Sequence, residues 1–343
     1  MKKRPVSLKD LANELGVSIS TVSRALKNHP NISPELTHKI QELAIKRSYV
    51  PNPLAMGLLR QQTKMIGVIV PDIVTYFFAS IISGIESVAE EKGYYIVISS
   101  SSELYKKEVE SVNNLLKARA DGLIVCLSQE TKDFSHFESL IRDEIPLVFF
   151  DRIVESLKVP SIIVDGTEAA KNITHHFYEN GCRRIAYISG PEHLNISKDR
   201  KQGYLKGLTE CGLQFHPELL IECNLNAAEA TLATRQLLNL KQIPDAIFGI
   251  NDTVAFAAMK EIKKHQLRIP EDIALVGFTD EFHSKIVDPA LTSVSHPTWK
   301  MGQEAARILI EIIETGKKSK KQIKLQTELV IRKSSLKATK SGL

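Results

Sequence analysis

Along the first fifty positions apolar residues recur every three or four residues, the spacing of helices that bury one face. Leu8, Leu11, Ala12 and Leu15 share such a face behind Ser7, which has an acid three residues on, the spacing of a capping box; Gly16 follows as a stop. After the turn Gly16-Val17-Ser18 the pattern resumes, with Val22, Ala25 and Leu26 inward and Ile19, Ser20, Ser23, Arg24 and Lys27 outward. Ser18 is the predicted cap. A third helix is predicted from Pro34, capped by Ser33, with Leu36, Ile40, Leu43 and Ala44 as its stripe. Two short helices about a tight glycine turn predict a helix-turn-helix.

From Met65 the period changes. Apolar runs at residues 66–70, 95–99, 122–126, 147–150, 162–164, 185–188, 246–250 and 273–276 alternate with amphipathic stretches. Buried runs separated in this way predict parallel sheets with helices on both faces. A late strand is predicted over residues 323–330, and the chain from about residue 335 is expected to be disordered.

Composition narrows the class. At 343 residues, 43% hydrophobic and 25% charged, the chain has length for two or three domains. No apolar run reaches the roughly eighteen residues of a membrane span, and Met1 to Pro5 leads into polar sequence rather than an apolar core. A cytoplasmic protein with no membrane partner is therefore expected. Cys126, Cys182, Cys211 and Cys223 show no Cys-x-x-Cys spacing, which argues against a zinc site or a disulfide framework. His175 and His176 would point about 100° apart on a helix and could not chelate one ion together. No metal and no cofactor is expected, and the usual nucleotide-binding and hydrolase signatures are missing from the sequence.

Charge is unevenly placed. Residues 1–62 hold ten Lys and Arg against four Asp and Glu, residues 317–343 hold nine against one, and the stretch between them is net acidic. A polyanion would meet an end of the chain. Lys317, Lys318, Lys320 and Lys321 follow a helix end and read as a solvated loop. At the other end, the second helix of a helix-turn-helix enters the major groove, with small hydroxyls on phosphate. Ser18, Thr21, Ser23 and Ser33 supply those hydroxyls, and the fork of Arg24 matches guanine O6 and N7.

The ordered run Val6-Ser7-Leu8-Lys9-Asp10-Leu11-Ala12, Gly16-Val17-Ser18-Ile19-Ser20-Thr21-Val22-Ser23-Arg24-Ala25-Leu26 and Tyr49-Val50-Pro51-Asn52-Pro53-Leu54-Ala55 resembles the headpiece of the lactose-repressor and galactose-repressor family. The resemblance implies that Ile19 and Ser20 read bases together with Arg24, Ile19 against a thymine methyl. It also places Leu8, Tyr49 and Asn52 among the DNA contacts. Residues 52–60 resemble the family's hinge helix, which orders on DNA and drives a leucine, here Leu58, into the minor groove as an unstacking wedge. Pro53 and Met56 depart from the common pattern there.

The remainder, to about Arg332, resembles the family's periplasmic-binding-protein-like domain. Ile66-Gly67-Val68-Ile69-Val70-Pro71-Asp72, Ala120-Asp121-Gly122-Leu123-Ile124, Asp151-Arg152, Ile188-Ser189-Gly190-Pro191, Asn251-Asp252 and Val276-Gly277-Phe278-Thr279-Asp280 carry the likeness. An all-α headpiece at 1–50, a hinge at 51–62 and an α/β effector and dimerisation domain at 63–334 are implied. The last would comprise two doubly wound parallel-sheet subdomains, one at about 63–163 and 294–322, the other at about 164–293 and 323–334. The resemblance puts Asp72, Phe77, Phe78, Asp151, Arg200, Leu225, Asn251 and Asp280 around an effector cleft. Leu225 stands where many members have a stacking aromatic, and Thr279 where many have Asp.

The implied protein is a non-enzymatic regulator, most simply a repressor, acting as a homodimer or tetramer. It would bind double-stranded operator DNA under control of a sugar, sugar phosphate or nucleoside. The same body would also serve a solute-binding protein of a transport system or an α/β sugar-processing enzyme. The headpiece argues against the first, and the lack of a visible nucleophile and base against the second.

Overall fold

A computed structural model describes residues 6–49 and 62–337. The chain divides into two compact units, Met1–Thr63 and Lys64–Leu343.

The first unit contains helices α1 (Leu8–Leu15), α2 (Ile19–Ala25) and α3 (Pro34–Lys46). At the start of α1 the Ser7 hydroxyl accepts from the Asp10 amide, and the Asp10 carboxylate accepts from the Ser7 amide at 2.8 Å, closing the capping box. Gly16, at φ 64°, ends α1 in the left-handed region that a side chain would strain. The hydroxyls of Ser18 and Ser33 cap α2 and α3 by accepting from the amides of Thr21 and Leu36. Leu11, Ala12, Val22, Ala25, Ile40 and Ala44 are buried together, with Leu8, Leu26, Leu43 and Tyr49 packed around them.

The second unit is built on two six-stranded sheets. The first holds β1 (Met65–Val70), β2 (Tyr95–Ser100), β3 (Gly122–Val125), β4 (Leu147–Phe150), β5 (Ser161–Val164) and, late in the chain, β11 (Gln322–Leu325). Its order is β11-β5-β4-β3-β1-β2, parallel throughout. Helices α4 (Tyr76–Glu91), α5 (Tyr105–Lys117), α6 (Ser135–Arg142) and α11 (Thr298–Thr315) cover it.

The second sheet holds β6 (Ile185–Ser189), β7 (Leu220–Glu222), β8 (Ala246–Gly249), β9 (Ala274–Thr279), β10 (Thr292–Ser295) and β12 (Glu328–Val330). Its order is β12-β10-β9-β8-β6-β7, with β12 antiparallel. Around it lie α7 (Gly166–Glu179), α8 (Asn195–Glu210), α9 (Ala227–Leu238) and α10 (Asp252–Lys264). α7 and α8 approach closely because α8 carries Gly203; a Cβ there would lie 2.1 Å from the Thr167 carbonyl oxygen.

The chain crosses between the sheets after β5, after β10 and between β11 and β12. Three expectations change as a result. The single strand expected over 323–330 is two strands in different sheets, so the crossing falls at Gln326 and Thr327 rather than at residue 322. β7 and β10 are additional strands, β7 marked only by the short run Leu219 to Ile221 and β10 by none. β10 is nevertheless buried, because its hydroxyls are bonded inside: Thr292 Oγ1 donates to the Arg332 carbonyl and Ser293 Oγ to Asp252.

The third change concerns the chain end. Ser335, placed at the start of a disordered tail, is buried with Ser334. The Ser334 hydroxyl donates to the Leu275 carbonyl at 2.6 Å, and that of Ser335 lies 2.7 Å from His176 Nε2. Residues 338–343 lie outside the described residues.

Candidate DNA-reading helix and ligand cavity

The outward face of α2 follows from its core contacts. With Val22 and Ala25 buried, Ser18, Ile19, Ser20 and Arg24 are exposed, and Thr21 and Ser23 are half-buried at the margin. The Ser18 hydroxyl lies 2.7 Å from that of Ser20 and 2.8 Å from that of Thr21, gathering three hydroxyls at the entry to the helix. Ser33 is exposed at the start of α3, while Leu8 and Tyr49 are half-buried and pack on the helical core. Asn52 and Leu58 lie outside the described residues.

In the second unit a cavity opens between the two sheets. Seven of the eight expected residues line it: Asp72, Phe77, Phe78, Asp151, Arg200, Leu225 and Asn251. Asp72 follows β1 and accepts from the Val74 and Thr75 amides at 2.6 and 3.2 Å, which fixes its carboxylate ahead of α4. Phe78 is 5% exposed and meets the Phe77 ring edge-on at 5.0 Å, so Phe77 presents more surface. Asn251 caps α10, its Oδ1 accepting from the Val254 amide.

Arg200 of α8 is buried. Its Nη1 donates to the Ile250 carbonyl at 2.6 Å, and its guanidinium carbon sits 3.7 Å from the Phe278 ring centre. Burial lowers its pKa, against the opposing pull of Asp151. Asp151, at φ 56°, turns the chain out of β4.

Asp280 is the exception. Its carboxylate is held at 2.7 Å by Arg332, and its amide donates to Ser293. Thr279 and Asp280 both adopt positive φ, 122° and 48°, and the turn presents Thr279 and Glu281 to the cavity instead. Asp280 therefore has a structural place, not the expected one in the lining.

Several lining groups were not picked out from the sequence. Arg152 Nη1 holds both Glu103 oxygens, at 2.9 and 2.7 Å, and also donates to the Leu127 carbonyl. Thr75, Ile196, Thr253 and Glu281 complete the wall. Behind it lies His296, where the chain leaves β10. Its side chain is fully buried, 3.9 Å from Asp151 and edge-on to Phe77, and both ring nitrogens lack hydrogen-bond partners among the described residues. Burial lowers its pKa to about 4, with Asp151 opposing and Arg200 reinforcing the shift.

The neutral imidazole is thus the folded form. Because an unfolded histidine titrates near its ordinary value of 6.5, protons bind the unfolded chain more tightly. His296 should leave stability unchanged above that value and remove about 3 kcal/mol as pH falls from there toward about 4. Denaturant midpoints of wild type and His296→Gln across that range check it, with the variant losing less; parallel curves would contradict the assignment.

Comparison with known proteins decides the family. Residues 7–52 match the model for bacterial regulatory proteins, lacI family, and residues 174–335 that of a periplasmic binding protein-like domain. The HTH-type transcriptional repressor CytR of Escherichia coli (strain K12) is 31% identical over 329 residues, 96% of either chain. The chain belongs to the LacI family.

Catabolite control protein A of Priestia megaterium is 31% identical to this LacI-family chain over 332 residues, 96% of it and 99% of the relative. Among solved structures, the lac repressor dimer bound to operator and the anti-inducer ONPF superposes with a TM-score of 0.85 at 28% identity, covering 97% of this chain and 100% of that one. The transcriptional regulator CelR in complex with cellobiose gives 0.74 at 27%, covering 96% and 100%. As a LacI-family member the chain is a DNA-binding transcription regulator with a helix-turn-helix and an α/β periplasmic-binding-protein-like body. No described helix is long and apolar enough to cross a membrane, and among the described residues no cluster could hold a metal ion.

Proposed function

We propose that this regulator represses transcription in the cytoplasm as a homodimer on a pseudo-palindromic operator, and that a small effector in the cavity between the sheets controls its grip. The observation that carries the proposal is the pairing, in one LacI-family chain, of an exposed α2 face with an open cavity lined by both polar and apolar side chains. On α2, Ile19, Ser20 and Arg24 face the bases, and Ser18, Thr21, Ser23 and Ser33 hold phosphates. Leu58 serves as the wedge at the centre of the site. Dimerisation sets two copies of α2 one helical turn of DNA apart or a multiple of it.

Control is linkage. The effector favours one closure of the two sheet layers, and that closure favours or disfavours the paired hinges, by no more than its differential affinity for the two states. A cavity that binds rather than transforms its ligand fits relatives named as regulators.

Arg24→Ala should weaken binding to a selected operator by about 1–3 kcal/mol and relax the preference at one base pair. Leu58→Ala should reduce specific binding and DNA bending while non-specific binding persists. Fluorescence anisotropy on selected and scrambled duplexes reads the affinities, the gel mobility of duplexes with the site at permuted positions reads the bending, and an Arg24→Ala variant that discriminates as well as wild type would remove α2 from the reading role.

A further inference from the structure

We propose that the corner of the first sheet where β5 and β11 begin is a second DNA-binding site, which holds backbone phosphates flanking the stretch that α2 reads, whatever their sequence; this rests on the reading of the chain as a dimeric operator-binding protein. Because the six strands of this sheet are parallel, the loops that lead into them share one end of it. Those loops, residues 62–64, 92–94, 118–121, 143–146, 158–160 and 316–321, hold eight Lys and Arg against three Asp and Glu. At the other end, toward the cavity, residues 71–75, 101–104, 126–134, 151–154 and 165 hold six Asp and Glu against two Lys and Arg. The sheet is thus polarised in charge, on a body that is net acidic.

Four of the eight cations gather at one corner. Lys158, Lys317, Lys320 and Lys321 are exposed and have no ion pair among the described residues. The Ser161 amide donates to the Lys321 carbonyl at 3.1 Å, which joins their two loops, and Lys158, Lys320 and Gln322 line one groove, with Glu155 as the acid in it. Neighbouring cations are already paired: Lys318 with Glu144 at 2.7 Å, Lys324 with Asp165 at 3.1 Å and Lys64 with Glu314 at 3.2 Å. Four unpaired ammonium groups on two joined loops repel one another, and a row of phosphates relieves that repulsion. Lysine meets phosphate as a point charge that needs no fixed geometry, so such contacts add grip without reading bases.

Position favours DNA over other polyanions. The chain enters this end of the sheet at Lys64, ahead of β1, and residues 50–61, which lie outside the described residues, span at most about 40 Å even when fully extended. DNA held by the helix-turn-helix therefore stays within the tether's reach of this end. Four strand spacings of about 4.8 Å separate β1 from β11, which puts the corner about 19 Å from the entry, or roughly six base pairs along a duplex. The acidic end lies a strand length farther away and would repel the same backbone. An acidic protein segment would satisfy the four lysines as well, but nothing holds one at this end.

The test compares a duplex selected by the full chain, as the bare site and with about one helical turn added on each side, by fluorescence anisotropy at increasing salt. Wild type should bind the long duplex at least tenfold more tightly at low salt. Its log–log salt slope there should be steeper by about 2 or more, since each phosphate contact contributes about 0.9. The combined variant Lys158→Gln, Lys317→Gln, Lys320→Gln and Lys321→Gln should lose that increment and match wild type on the bare site, whereas arginine at the same four positions should keep it. No increment in wild type, or one that survives the glutamine changes, overturns the corner. If poly-L-glutamate binds wild type but not the glutamine variant while the increment is the same in both, the occupant is an acidic protein and the DNA assignment falls. If the chain selects no site at all, the operator reading falls, and the corner is judged on long scrambled duplexes. There the glutamine variant should bind at least tenfold more weakly, and equal binding overturns the corner too.

Discussion

Leu11→Ala is expected to unfold the helix-turn-helix unit while leaving the two-sheet unit folded. Leu11 is fully buried at the centre of a core whose other wholly buried members are few, Val22, Ala25 and Ile40. Removing its side chain should cost about 2–5 kcal/mol. A single small core seldom contributes more than about 3–5 kcal/mol, so the loss approaches the unit's whole stability. The surface ion pair Arg47–Glu14, with side chains 53% and 40% exposed, contributes too little to offset it. Calorimetry should show the main transition of the larger unit unmoved, and affinity for a selected operator should fall at least a hundredfold. Operator affinity within a few-fold of wild type would mean that DNA is not held through this packed unit.

The second large effect is expected at Asp252. This carboxylate, 1% exposed at the first turn of α10, accepts from Ser293 Oγ at 2.6 Å, Ser284 Oγ at 2.8 Å and the Glu281 amide at 2.9 Å. It ties α10, β10 and the loop after β9 that carries Glu281 into one piece. Burial raises its pKa, and its three donors oppose that shift. Asp252→Ala would strand those donors in the interior, at a cost of about 3–5 kcal/mol. Chemical denaturation should show that loss in the larger unit, and ligand affinity should fall because the Glu281 wall is no longer held. Asp252→Asn keeps the shape and should cost less. A loss below about 1 kcal/mol for Asp252→Ala would show that the three bonds do not hold the loop.

What could be read in the sequence was local. Ser7 with Asp10, Gly16, Ser18, Ser33 and Pro34 set helix ends within a few residues, and each does so in the structure. Apolar runs marked the buried central strands for the same reason. β10 escaped because its burial depends on hydroxyls whose partners, Arg332 and Asp252, are about forty residues away. The Asp280 expectation missed by one position, since side-chain direction after β9 is decided by two consecutive positive-φ residues that the residue types do not announce. His296 had no signal at all. Its meaning comes from Asp151, Phe77 and Phe278, brought together only where the chain changes sheets. Arg152 and Glu281 were each adjacent to an expected residue, so the neighbourhoods were legible before the individual side chains were.

The central claim, that an exposed α2 face reads a two-fold operator, is tested most directly by selecting random duplex DNA with the full chain, with and without sugars, sugar phosphates and nucleosides. Selected and scrambled duplexes are then compared at increasing salt. The expected result is a pseudo-palindromic site bound by two chains, roughly a thousandfold or more above scrambled DNA near physiological salt, with affinity falling steeply as salt rises. Failure to enrich any site under either condition, or enrichment of an asymmetric site bound by one chain, would contradict it.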